Sequence, residues 1–279
     1  MRTRRRRSGG GIRIIMALGM ALFALVSYCG SRQFNPITGE EQYISISQEQ
    51  EIALGLQSLP TMVQQHQGEE ENRDIQIFLD QIGERLVRES DARETDWEFS
   101  YTMLNDEQTV NAFALPGGPT FMTMALFNAI LDASSSDQQA EARVAGVMAH
   151  EIGHVVARHS AQRLAKQQLT QGLSGAAVLA TYDPNDPSSQ RTAAAVAMVG
   201  NLVNMKYGRD DELEADRLGV RFMGQAGYDP CELIGVMEIL AAAGGGARQP
   251  EFFSTHPNPD NRIQKIEDAV EAEFGRSCR

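Results

Sequence analysis

The hydrophobic and polar positions change period three times along the chain, and the order of those periods predicts the fold. Residues 14–26 form an unbroken apolar run behind Arg2, Arg4, Arg5, Arg6, Arg7 and Arg13. From Ser47 to about Gln67 the spacing is helical, with Glu49 and Glu51 making an acidic start. Ile75, Phe78, Leu79, Ile82 and Leu86 then recur three and four apart, which predicts an amphipathic helix over 72–89. Over 97–104 the period drops to two, with Trp97, Phe99, Tyr101 and Met103 on one side of a strand. Residues 110–115 form a second short strand, closed by Pro116-Gly117-Gly118, and 120–123 a third.

Beyond that point the pattern is helical. Ser136 and Gln139 read as a capping box opening a helix that runs to about His159. A second helix reaches about Ala180, a loop covers 182–189 with Pro184 and Pro187, and a long helix runs to about Phe222. Further helices are expected over 231–243 and 261–274, separated by a break at 244–246. The expected class is α+β, mainly helical, with a small three-stranded sheet.

The first residues carry a different signal. An arginine-rich segment followed by a short apolar run is the layout of an export signal, and 14–26 is short of the ~20 residues a membrane-spanning helix needs. Val26-Ser27-Tyr28-Cys29 resembles a lipobox, with bulky Tyr28 where a small residue normally stands. Three outcomes are open: lipidation of Cys29, a cleaved soluble signal, or an uncleaved anchor. The expected division is a signal over 1–28, a tether over 29–46 carrying Pro36 and Gly39, and a single domain over 47–275. Export implies an oxidising compartment, where Cys231 and Cys278 are expected to pair and tie down the C-terminal tail.

Charge narrows the partners. The chain has 37 acidic and 25 basic residues, a net charge of −12, although its first 28 residues hold only basic charge. The remainder is therefore more acidic still, which excludes the basic footprint of a nucleic-acid binder and disfavours adhesion to anionic lipid.

The chemistry is concentrated in His150-Glu151-Ile152-Gly153-His154. Residues four apart share a helix face, so both imidazoles can reach one ion, as zinc prefers. Glu151, offset by one position, can reach a water on that ion and take its proton. A catalytic zinc needs a third protein ligand. Ser160 stands where the metzincin pattern has its third histidine, so that pattern is absent. The acidic run from Asp210 to Asp216 offers Glu212 as a ligand, with Asp216, four residues on, placed to hold a ligand histidine. Glu214 points about 200° away from Glu212 on the helical wheel.

These residues resemble the gluzincin family of HtpX, BepA and the type I CAAX prenyl endopeptidase. The resemblance rests on His150-Glu151-Ile152-Gly153-His154, on Glu212-Leu213-Glu214-Ala215-Asp216, on the run from Asn111 to Gly118, and on Ser254-Thr255-His256-Pro257 with Arg262 following. Asn35-Pro36-Ile37-Thr38-Gly39 is similar to the exported members. The resemblance implies a zincin-like metalloprotease domain holding one Zn2+ per chain on His150, His154 and Glu212, with Glu151 as general base. It implies that Asn111 and Ala112 lie on an edge strand beside the cleft, where substrate adds as a further strand. It places His256 near the metal, either stabilising the oxyanion or occupying the open coordination position. His66 and His159 match no motif and are expected at the surface.

The nearest branch in kind is the exported, BepA-like periplasmic one, without the transmembrane helices of HtpX or a helical-repeat extension. Misfolded or misassembled envelope proteins are the implied substrates, with the protein held at a membrane by lipid on Cys29 or by its N-terminal segment. A single specific target protein fits the motifs equally well. The competing class is an envelope chaperone or assembly scaffold whose zinc is structural or whose site is closed, binding client strands along 110–115 without cutting them.

Overall fold

A computed structural model describes residues 9–181, 207–244, 250–257 and 261–278. The chain divides into two compact units. The larger comprises Asn35–Gly39, Ser47–Ser160 and Lys206–Arg279, the smaller Met1–Phe34, Glu40–Ile46 and Ala161–Met205. The described residues are mainly helical with a small sheet, the class the pattern predicts.

In the larger unit the helix Asp137–Val156 runs through the core, and its residues from Val144 to Val156 are all buried. Its start differs from a full capping box. Ser136 Oγ accepts from Gln139 N at 3.2 Å, but the Gln139 side chain accepts from Ser135 N and donates to Glu232 at 3.0 Å. Glu232 is also paired with Arg143 at 2.8 Å, so the amide of Gln139 is drawn into a long-range network. The acidic helix Arg209–Gln225 crosses this core helix at close range. A Cβ on Gly153 would stand 3.0 Å from the Ala215 carbonyl oxygen, so the absent side chain sets the helix spacing.

The core helix also ends sooner than its pattern suggests. It stops at Val156, and a new helix, His159–Thr181, starts after a break at Arg158, whose φ is 54°. A left-handed arginine is costly, and here it is over-determined. The Arg158 guanidinium donates twice to buried Glu51, at 2.9 and 2.6 Å, and lies over the Trp97 ring. Asn35 Nδ2 meanwhile donates to the Val156 carbonyl at 2.8 Å, so the Asn35–Gly39 turn caps the same helix end.

Three strands form the sheet of this unit. Pro119–Thr123 is central, parallel to Ser100–Leu104 and antiparallel to Ala112–Ala114, which therefore sits at an edge. The turn between the last two needs glycine: Gly118 has φ 129°, and a Cβ there would lie 2.4 Å from the Glu98 carbonyl oxygen. Helix Arg73–Arg88 buries Leu79, Ile82 and Leu86, the residues its spacing marks as apolar.

The loop into the edge strand is organised by buried Asp106. Its carboxylate accepts from His66 Nδ1 at 2.9 Å, Gln67 Nε2 at 3.3 Å and the backbone N–H groups of Gln108 and Thr109 at 3.0 and 2.9 Å. His66 is thus half-buried and bonded rather than a free surface group; its ring also faces Phe113. Burial alone would raise the Asp106 carboxyl, but these hydrogen bonds hold it down at about 2. A carboxyl depressed on folding contributes stability that is present above its unfolded value of about 4 and is lost as pH falls toward 2. Asp106→Asn is therefore expected to lose about 2 kcal/mol at neutral pH, with the gap to wild type narrowing as the medium is acidified. Denaturant unfolding at several pH values checks this, and a gap that does not change with pH would contradict it.

Cys231 and Cys278 form a disulfide with Cα atoms 5.4 Å apart, joining the tail after helix Arg262–Phe274 to the start of helix Glu232–Ala243. The predicted loop over 182–189, the first part of the long helix expected to reach Phe222, and most of the expected break at 244–246 lie outside the described residues.

In the smaller unit the helix Gly9–Gly30 outruns the 14–26 apolar run, and Gly11–Gly30 is long and apolar enough to cross a membrane. Its Ala17 is buried, and Ala24 meets Gly172. Tyr28 stacks on Tyr43, and Cys29 is exposed.

Candidate metal centre

Four buried donors converge in the larger unit. The two histidines of the core helix project one above the other, as their spacing of four requires, with Nε2 atoms 3.1 Å apart. Glu212, in the first turn of the acidic helix, brings Oε1 to 3.5 Å from His154 Nε2. His256 follows the short helix Phe252–Thr255, stacks on Phe252, and places Nδ1 3.1 Å from Glu212 Oε1 and 3.5 Å from His150 Nε2. One donor atom from each of His150, His154, Glu212 and His256 lies within 4.8 Å of all the others.

Nitrogen and carboxylate donors brought together in one buried set suit a divalent metal ion. The hydrogen bonding agrees. Both carboxylate oxygens of Glu151, Oε2 of Glu212 and Nε2 of His256 are buried with no hydrogen-bond partner among the described residues. Buried polar atoms normally have one, and an ion or a polar ligand at the cluster accounts for the exceptions. Glu151 faces the same space, with Oε1 3.6 Å from His256 Nε2.

Behind the cluster lies a second layer of charge. Asp216 Oδ1 sits 2.9 Å from His150 Nδ1. Arg262 grips Asp216 with two hydrogen bonds, at 2.7 and 2.8 Å, and lies 3.4 Å from Glu212. Arg262 is 2% exposed, so its charge is balanced inside the protein rather than by water. Burial would raise the carboxyl of Asp216, but Arg262 and His150 hold it below its usual range. Glu212 is likewise lowered, burial being outweighed by His256 and His150. Glu151 goes the other way: burial raises it, and His256 and His150 only partly offset that.

Asn111 and Ala112 are both buried at the edge-strand start. Asn111 N donates to Thr123 Oγ1 at 3.1 Å, and its Oδ1 has no hydrogen-bond partner among the described residues. The neighbouring Val110 carbonyl accepts from Phe252 N at 3.3 Å, which joins the segment leading to His256 to the approach of that strand.

Two residues of the site are unmarked by any motif spacing. His159, expected at the surface, is 1% exposed, with Nδ1 2.8 Å from His154 Nδ1 and Nε2 3.2 Å from Glu214 Oε2. The cause is the Arg158 turn, which brings His159 back onto His154. Tyr207 stacks on the His154 ring with centroids 4.2 Å apart and pairs its hydroxyl with Ser160. The nearest thing to a signal is the juxtaposition of His159 with Glu214, which the wheel had turned away from the metal-facing stripe. Cys29 belongs to the other compact unit.

Residues 75–270 match the model of Peptidase family M48. Among curated proteins, the chain is 33% identical over 197 residues to the beta-barrel assembly-enhancing protease of Escherichia coli K12, covering 67% of this chain and 37% of that protein. It is 31% identical over 201 residues to the mitochondrial metalloendopeptidase OMA1 of Schizosaccharomyces pombe, covering 69% and 52% respectively. The OMA1 of Saccharomyces cerevisiae is 28% identical over 250 residues, covering 83% and 67%. The chain thus spans little more than a third of the length of the bacterial relative. With the motif histidines, Glu212 and His256 all inside the matched span, the chain belongs to peptidase family M48 and carries a metalloendopeptidase domain.

Proposed function

We propose that this protein is a zinc-dependent endopeptidase of the cell envelope that cleaves misfolded or misassembled proteins. The observation that carries the reading is the convergence of His150, His154 and Glu212 beside a buried carboxylate, Glu151, with no hydrogen-bond partner among the described residues. A zinc ion on those three ligands would supply Lewis acidity, polarising a scissile carbonyl and acidifying a water. Glu151 is the residue that would accept the proton of such a water and return it to the leaving amine, and its burial raises its carboxyl, which strengthens it as a base. The edge strand Ala112–Ala114 offers main-chain hydrogen bonds to an extended substrate, a mode that ignores side-chain identity and suits unfolded clients. Incubating an unfolded protein such as casein with the mature enzyme and identifying the products by mass spectrometry tests this. Internal cuts are expected; an uncut substrate, or trimming from one end only, contradicts it.

His256 favours a closed resting form over an oxyanion role. Its Nδ1 stands among the ligand atoms and its Nε2 faces Glu151, where a substrate carbonyl must come. His256→Ala is therefore expected to raise the cleavage rate of unfolded substrate severalfold at saturating zinc, since it opens the fourth position. A fall in rate would assign His256 to oxyanion stabilisation instead. The same closure supports the second reading, a client-binding scaffold. A His256→Ala protein that still cuts nothing would favour it, although a scaffold has no need of Glu151.

Envelope placement is supported by the arginine-rich start, the apolar helix Gly9–Gly30 and the disulfide, which suits an oxidising compartment. Unless the signal is cleaved to release the domain, attachment runs through lipid on Cys29 or through the helix itself. Metabolic labelling with a palmitate analogue separates them: label on the wild type that is lost in Cys29→Ser supports the lipid, and no label on the wild type excludes it.

A further inference from the structure

The histidine ligands are backed unequally. His150 turns its Nδ1 directly to a carboxylate, Asp216, at 2.9 Å. His154 does not. Its Nδ1 meets a second imidazole, His159 Nδ1, at 2.8 Å, and only beyond that ring is there a carboxylate, Glu214 Oε2, 3.2 Å from His159 Nε2.

The protons in this chain follow from simple counting. The ligand atom of His154 is Nε2, which faces His150 Nε2 and Glu212. A neutral imidazole has one N–H, so that proton is on Nδ1 and points at His159. His159 Nδ1 must then be bare, because two N–H groups cannot share one hydrogen bond. Its own proton is on Nε2, aimed at Glu214, and an ionised carboxylate can only accept. Glu214 thus selects the tautomer of His159, and His159 selects that of His154, leaving the lone pair of Nε2 turned toward the other ligands.

We propose that His159 and Glu214 are positioning residues for the metal ligand His154, holding its tautomer and ring orientation through an imidazole-to-carboxylate chain. The proposal rests on the metal-site reading and deepens it. Partners of this kind, lying behind a ligand, set metal affinity rather than touch substrate. The backbone is shaped for the role: the left-handed Arg158, gripped by Glu51, delivers His159 to His154, and Ala215 meets the core helix where Gly153 leaves room. Glu214 precedes that contact, so both ends of the chain are anchored by the helix crossing that carries Glu212.

The test measures zinc affinity of the full-length protein by competition with a chromophoric chelator, beside the d–d spectrum of the cobalt-substituted protein. His159→Phe keeps the ring and removes both nitrogens. It is expected to weaken zinc binding by about ten- to a hundredfold and to alter the cobalt spectrum. His159→Asn places Oδ1 where Nδ1 stood, restores an acceptor, and is expected to recover affinity to within about threefold of wild type. Glu214→Ala, on a partly exposed side chain, is expected to weaken binding in the same sense while leaving the apo circular-dichroism spectrum unchanged. Wild-type affinity in both His159→Phe and Glu214→Ala overturns the proposal, as does an Asn variant no better than Phe, which would make His159 a packing residue. If His159→Phe does not fold, Glu214→Ala decides alone. Failure of the wild type itself to bind zinc would overturn the metal-site reading, which His154→Ala controls for.

Discussion

Glu151→Gln is expected to lower the rate of peptide-bond cleavage by at least 10^2–10^4-fold, the share a positioned general base contributes, while leaving the fold and metal content unchanged. Glu151 is fully buried, neither carboxylate oxygen has a hydrogen-bond partner among the described residues, and His256 Nε2 stands 3.6 Å from its Oε1. Such a group is poorly placed to stabilise the fold. Burial raises its carboxyl, which shows that the charged form is not a comfortable one there. The amide matches it in shape and cannot take a proton. Loss of rate at an equal or slightly higher melting temperature is the expected pair of results. A Gln variant cutting at the wild-type rate would remove Glu151 from the chemistry.

The second large effect is on stability. Arg262 is buried between Asp216, gripped through two hydrogen bonds, and Glu212. Arg262→Met keeps much of the volume and leaves those carboxylates without their cation. Breaking a buried pair from one side typically costs 3–5 kcal/mol, because the remaining charge stays desolvated. For a chain of this size that corresponds to a fall in melting temperature of roughly 10 °C. Neutralising the stranded partner in the double variant Arg262→Met with Asp216→Asn is expected to recover part of the loss. A single variant melting within a degree or two of wild type would show that Arg262 is not the counter-charge of this site. Thermal melts in chelator separate this effect from any contribution of bound metal.

Much of the architecture was legible because it depends on local spacing. A separation of four puts His150 and His154 on one face, and the same rule aligns Glu212 with Asp216. Alternation over 97–104 marks a strand, and Pro116-Gly117-Gly118 marks a turn. What escaped reading depends on partners remote in sequence. The core helix pattern continues past Val156 without a break, and it is partners remote in sequence, Glu51 107 residues upstream and the Trp97 ring, that hold Arg158 in the conformation that ends it. His159 turns inward for the same reason. Gln139 looks like a capping-box residue, but its Oε1 accepts from Ser135 rather than from the Ser136 N–H, and Glu232 holds its Nε2–H. Arg262 is visible as part of a motif, yet its burial follows from two carboxylates contributed by another helix. Local rules place side chains on faces; the helix crossing at Gly153 and Ala215 decides which faces meet.

Hydrolysis is proposed to depend on an ion held by His150, His154 and Glu212. Its most direct test is a casein degradation time course with purified mature protein, first stripped by a chelator and then titrated with zinc, with metal content measured at each step. Cleavage is expected to disappear on chelation and to return in proportion to zinc bound, up to one ion per chain, and Glu212→Ala is expected neither to retain the ion nor to recover activity. Cleavage that persists in the metal-free protein, or that returns in Glu212→Ala, would contradict it.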